Sequence, residues 1–164
     1  MVPFANELRR LMDASSQPRA KRDGPNPNRY YLTAAPQCVY PDAAIQEMLD
    51  GAVAFDAIWV QFYNNFCGLN SFIPGSGAQS AYNFDVWDAW AKSQARNPNV
   101  KVFIGMPGSP GAAGSGFVAA PLMREILGWS QAFSSFGGIM VWDVSQAYDS
   151  WGMLDGLKYH LLHY

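Results

Sequence analysis

Charge is scarce in this chain, ionisable nucleophiles are few, and long apolar runs are missing. Lys and Arg number 11 against 13 Asp and Glu, a formal net charge of −2. No basic surface is therefore available to follow a nucleic-acid backbone or an anionic lipid face, so neither nucleic acid nor membrane is an expected partner. Two cysteines and two histidines are all the sequence offers as thiolate or imidazole ligands, and the spacing of Cys38 and Cys67 matches no zinc motif. The basic run Arg19 to Arg22 lies among Pro, Asn and Gly and reads as a solvated loop. No stretch approaches the roughly 20 apolar residues of a membrane helix. The opening MVPFANELRRLMDA lacks an apolar core segment, so it reads as an amphipathic helix and not as a signal peptide.

What is present is apolar and aromatic. Hydrophobic residues make up 49% of the 164 and aromatics 15%, enough to bury a core. Phe4, Leu8, Leu11 and Met12 recur at helical spacing and predict a helix over 3–14. A polar loop is expected over 15–28, then a strand over 29–35 and a short helix begun by Pro41 and ending near Leu49. The run from Asp56 to Tyr63 is the clearest strand. A helix over 84–95 follows, with Asn83 as N-cap and Val86, Trp87, Trp90 and Ala91 on its inner face. Strands are predicted over 100–106 and 136–142. Leu122, Met123, Ile126 and Leu127 mark the helix between them, and Leu154, Leu157, Leu161 and Leu162 mark a last one.

Strands and helices thus alternate, and the strands are nearly continuous apolar runs. That pattern argues for a parallel sheet covered on both faces or closed into a barrel. Four such units are about half of the roughly 250 residues of an eight-stranded barrel. A complete open four-stranded sheet is the competing reading, but the glycines from Gly105 to Gly116 have no nucleotide-binding spacing.

In parallel α/β folds, ligand groups stand at the carboxyl ends of strands. Those positions hold Gln61, Tyr63, Asn64, Trp142 and Asp143. Trp59, Gln61 and Tyr63 share one side of their strand. Gln61 and Tyr63 could serve a ligand or simply satisfy loop backbone, and Trp142 could bind a ring or plug the sheet. Asp143 is the one acid at a strand's carboxyl end. Asp85, Asp88 and Glu125 fall on helices and are expected in solvent; His160 and His163 belong to the last helix, where packing or surface roles suffice. The residues alone leave the two cysteines either free or bridged.

Four strings, Tyr31-Leu-Thr-Ala-Ala-Pro-Gln-Cys38, Trp59-Val-Gln-Phe-Tyr-Asn-Asn65, Ala112-Ala-Gly-Ser-Gly116 and Gly137-Gly-Ile-Met-Val-Trp142, resemble class III chitinases of glycoside hydrolase family 18 in order and spacing. The resemblance implies an α/β fold, the C-terminal half of a (β/α)8 TIM barrel containing strands five to eight, as one partial catalytic domain over 1–164. It implies hydrolysis of β-1,4-linked N-acetylglucosamine in chitin with retention, the substrate's acetamido oxygen acting as nucleophile, and neither metal nor cofactor. By the same resemblance Tyr63 orients the acetamido group, Gln61 and Asn64 join it in holding substrate, and Trp142 stacks under the sugar, with a non-proline cis peptide after it. The plant relatives have Ser where Asp143 stands. Cys38 and Cys67 match a family disulfide, which implies a secreted parent. The family's D-x-x-D-x-D-x-E motif, source of the general acid, is absent; Asp85-Val-Trp-Asp88 continues Ala-Trp-Ala-Lys and fails. The expectation is a fragment cut just before Met1, prone to self-association through its open strand edges. The alternative is a non-catalytic chitinase-like carbohydrate-binding protein.

Overall fold

Four apolar runs pair side by side in chain order. In the computed structural model, which describes residues 1–16, 30–149 and 152–163, strands β1 (Thr33–Ala34), β2 (Ala57–Gln61), β3 (Lys101–Pro107) and β4 (Phe136–Trp142) form one sheet in the order β1-β2-β3-β4. Every pairing is parallel. The helices are α1 (Val2–Ser16), α2 (Gln46–Leu49), α3 (Phe84–Ser93), α4 (Ala120–Ser130), α5 (Val144–Asp149) and α6 (Met153–His163). The run Arg19 to Arg22 lies outside the described residues, as do the side chains of Leu162 and His163. No helix among the described residues is long and apolar enough to cross a membrane.

Strand alternation sorts the side chains. Ile58, Val60 and Phe62 are fully buried on the helix side, with Val102 and Ile104 beside them on β3. Trp87, Trp90 and Ala91 of α3 and Met123, Ile126 and Leu127 of α4 close that layer. Each fully buried large side chain contributes about 1.5–3 kcal/mol. An aromatic cluster joins Phe62, Tyr82 and Phe84 to Trp129, Phe133 and Phe136, with ring centroids 4.7–6.3 Å apart.

The other face is open. Trp59 remains 37% exposed and Tyr31 is exposed beside it. Most of the stripe that predicts α1 is likewise uncovered: Phe4 is 73% exposed, and Leu8 and Leu11 also face solvent, while Ala5 is buried and Met12 packs half-buried against the core. The 3.6-residue period found the helix but could not say which side meets a neighbour.

Several expected details differ. The ladder of β1 holds only two residues, extended by an isolated bridge between Gln37 and Gln61. Pro41 follows a cis peptide and does not start α2. Instead the buried Asp42 carboxylate accepts the N–H groups of Gln37, Ala44 and Ile45 at 2.8–2.9 Å, and this turn delays the helix to Gln46. Asn83 makes no side-chain cap; its amide donates to the Cys38 carbonyl at 2.8 Å. Val86 faces solvent.

Asp88 is not in solvent. It is buried on α3, where it accepts the Ser135 N–H at 3.1 Å and pairs with Lys92 at 2.5 Å. Burial pushes its carboxyl up, but hydrogen bonds from Lys92 and Ser135 outweigh that and hold it below the usual carboxylate range. Asp56, at the amino end of β2, pairs with Arg9 of α1 at 2.5 Å and ties that helix to the sheet.

Candidate functional site

The register brings the singled-out residues to one rim. Gln61 pairs with Gly105, Gly105 with Met140 and Pro107 with Trp142. Paired positions point to the same face of a sheet, so Trp59, Gln61, Phe103, Met140 and Trp142 share the open face. Past β2, the Phe62 N–H still donates to the Gly105 carbonyl at 3.1 Å. Tyr63 thus follows Gln61 by the same two residues that bring Pro107 after Gly105. The carboxyl ends of β3 and β4 set Pro107 beside Trp142, and Tyr63, a buried side chain, leaves the carboxyl end of β2.

A loop lies against Tyr63. The Asn64 N–H donates to the Ser115 carbonyl at 3.2 Å, and Asn64 Oδ1 accepts the N–H groups of Gly114 and Ser115 at 2.8 and 3.2 Å. Asn64 adopts φ of +60°, a conformation asparagine tolerates better than most residues. Its side-chain oxygen is thereby committed to holding the 112–116 loop. Gly116 has φ of +100°, and a Cβ there would stand 2.6 Å from Tyr63 Cα. The second and third strings of the sequence are therefore two sides of one contact. Burial pushes the Tyr63 phenol up from its ordinary value, so it stays protonated and able to donate at neutral pH.

Gln61 does what its backbone-satisfying reading anticipates. Its Nε2 donates to the Ala35 carbonyl at 2.7 Å, pinning the end of β1. Trp142 presents its ring at 53% exposure. A cis peptide follows it, as the resemblance implies. At the base of β4, Gly137 stands where Phe103 packs, since a Cβ would meet that ring at 2.5 Å. The register shifts between Val102 and Phe103 at this point.

Cys38 and Cys67 are bridged and fully buried, joining the loops after β1 and β2. The Cys38 carbonyl accepts from Trp87 Nε1 at 3.1 Å as well as from Asn83, so α3 is fastened to the same bridge.

Asp143 is a helix cap. Its Oδ1 accepts the Ser145 hydroxyl at 2.5 Å and the Gln146 N–H at 3.1 Å. The Ser145 hydroxyl, then the backbone N–H of Gln146, hold its carboxyl below the usual range. A carboxylate so stabilised is a poor proton donor at neutral pH. Sequence reasoning had missed α5, although Asp143-Val-Ser-Gln146 carries the spacing of a capping box. Gln146 in turn receives a short hydrogen bond from the Ser109 hydroxyl, linking the rim after β4 to the rim after β3. Among the described residues no group of three or more His, Cys, Asp and Glu could hold a metal ion.

No protein-family profile matches the chain. Individual proteins do. A class III chitinase of Arthroderma benhamiae is 48% identical over 158 residues, covering 96% of this chain and 45% of its own length. The crystal structure of ICChI chitinase from Ipomoea carnea superposes with a TM-score of 0.60 at 29% identity, over 79% of this chain and 44% of that one. The xylanase and α-amylase inhibitor protein XAIP-II from Scadoxus multiflorus gives 0.57 at 37% identity, over 82% and 44%. A parallel α/β sheet with a polar and aromatic rim, in this company, defines a glycoside-hydrolase relative. Within that class, its likeness is to the class III chitinases, and it spans about half the length of the curated relative it matches.

Proposed function

We propose that this chain is the substrate-orienting part of a chitinase, the C-terminal half of a (β/α)8 barrel and one portion of a single catalytic domain. The observation that carries the reading is the exposed Trp142 ring at the carboxyl end of β4, on a sheet whose inner face is uncovered, with Tyr63 two residues past the end of β2. The exposed stripe of α1 and the exposed Tyr31 and Trp59 are surfaces that further strands and helices of a barrel would cover. A matching length near half of the relative's supports the same reading.

The substrate is chitin or its oligosaccharides. Trp142 stacks against the sugar face, and the Tyr63 hydroxyl donates to the acetamido carbonyl, aiming its oxygen at the anomeric carbon. As that oxygen attacks, the glycosidic bond breaks and the departing alcohol needs a proton. The 164 residues contain no D-x-x-D-x-D-x-E motif, and Asp143 is committed as a cap. Orientation thus belongs to this chain and protonation to an acid it does not carry. The buried disulfide supports folding in an oxidising compartment and a secreted parent protein. The open edges of β1 and β4 favour self-association of the chain alone, which sedimentation velocity would show as species larger than a monomer.

The test is calorimetric titration of the chain with chitohexaose, followed by chromatography for shorter products. Saturable binding that Trp142→Ala abolishes, with no cleavage, is expected. Hydrolysis by the chain alone would refute the division between orienting and protonating parts, and absence of any binding would refute the sugar site. The likeness to an inhibitor of xylanase and α-amylase favours one second reading, a non-catalytic binding protein. That reading requires the coding sequence upstream of Met1 to lack the acid motif; finding D-x-x-D-x-D-x-E there would end it.

A further inference from the structure

We propose that Phe66 is an outer stacking platform for a chitin-type chain, gripping a sugar beyond the one held by Tyr63 and Trp142; this rests on the chitinase reading above. Phe66 is 71% exposed in the loop that leaves the carboxyl end of β2. Tyr31 and Trp59, by contrast, lie on the open sheet face, where added strands would cover them. Phe66 stands past the end of its strand, so closing the sheet does not account for it.

An apolar ring on a loop free to relax would turn inward, but this loop cannot. Cys67, the next residue, is fully buried in the disulfide with Cys38. On the other side, Asn65 donates its amide to Gln37 Oε1 at 3.0 Å. The Gly68 N–H closes on the Asn65 carbonyl at 3.0 Å, and the Leu69 N–H on the Phe62 carbonyl at 2.9 Å. Leu69 is itself fully buried. The flanking residues Asn65 and Cys67 are fastened, and the phenyl between them faces outward. A ring carried on so fixed a backbone is partly preorganised for a ligand, because only its own side-chain rotation remains to be ordered on binding.

The chemistry fits a pyranose. The C–H groups lining one face of a β-1,4-linked sugar are apolar and slightly positive, and they match the negative face of an aromatic ring. Phe66 follows Tyr63 by three residues, so the two Cα atoms lie within about 11 Å. That separation lies within the span of a short oligosaccharide. Phe66 adds grip along the chain and takes no part in bond cleavage.

The experiment compares the 164-residue chain with its Phe66→Ala, Phe66→Trp and Trp142→Ala variants, titrating each with chitohexaose and with chitobiose. Phe66→Ala is expected to weaken chitohexaose about tenfold and chitobiose by less than about twofold, with Phe66→Trp restoring the longer ligand. Its melting temperature should stay within about 2 °C of the parent. Equal losses on both ligands, an undiminished affinity for chitohexaose, or a melting temperature lowered well beyond that range would each overturn the platform. If Trp142→Ala loses binding while Phe66→Ala does not, this inference fails alone. If the parent chain binds neither sugar, the chitinase reading fails and takes this one with it.

Discussion

Replacing Gly116 with alanine tests whether the 112–116 loop is the support of Tyr63. The backbone there has φ of +100°, where an L side chain costs about 1–3 kcal/mol. The added Cβ would stand 2.6 Å from Tyr63 Cα, 2.7 Å from Tyr63 Cβ and 2.9 Å from the Phe62 carbonyl oxygen. Two of these three are backbone atoms, so no side-chain rotation relieves the contact. Ordinary carbon contacts sit near 3.5–4.0 Å, so something must move by about 1 Å. Overpacking of that kind costs about 1–3 kcal/mol. Together the two effects predict a loss of about 2–6 kcal/mol and a melting temperature lower by about 4–24 °C. Because the displaced atoms belong to Tyr63, chitohexaose affinity should fall in the same variant. Gly111→Ala is the matched control in the same loop, since its nearest contact is the Ser109 hydroxyl at 3.8 Å. Circular-dichroism melts and calorimetric titration of both variants decide the matter. A Gly116→Ala protein that melts and binds like Gly111→Ala would show that the loop does not support the site.

Other consequences are as direct. Replacing both Cys38 and Cys67 with alanine opens a loop spanning 29 positions, a change worth about 3.5 kcal/mol by chain entropy; an unshifted urea midpoint would contradict it. Asp88→Ala strands the Ser135 N–H in a buried position, so equilibrium unfolding should show a loss of about 1–3 kcal/mol. Both Asp88 and Asp143 have depressed carboxyl values. Their contributions are therefore complete above the ordinary carboxylate range and disappear as pH falls through the lowered folded values. Amide NMR of Gln146 should follow Asp143 through that acid titration, and a Gln146 shift that first moves near neutral pH would contradict the cap. Asp143→Asn keeps an acceptor at the helix start and should leave near-neutral chitohexaose binding close to that of the parent.

Period and composition reached the longer helices and most strands because burial in a layered fold imposes a simple repeat. β4 appears over the expected residues, and β2 and β3 lie within one or two of them. What failed depended on partners distant in sequence. Asp88 reads as a solvent-facing helix residue until Ser135, 47 positions away, turns out to need its oxygen. Asn83 has the residue type of a cap, but the Cys38 carbonyl, 45 positions away, takes its amide. Pro41 suits a helix start by its φ alone, yet the Asp42 carboxylate organises the turn instead.

The rim has the same two origins. By itself the sequence determined which residues stand at strand ends and, through the resemblance, that Cys38 and Cys67 pair. Those are matters of spacing and residue type. Only the tertiary structure decided that Gly116 backs Tyr63, that Asn64 spends its oxygen on a loop, and that Asp143 caps a helix. It also left most of the apolar stripe of α1 and the inner face of the sheet uncovered. A periodic pattern specifies that a face is apolar. What covers that face depends on contacts between elements, and these arise only when the whole chain is packed.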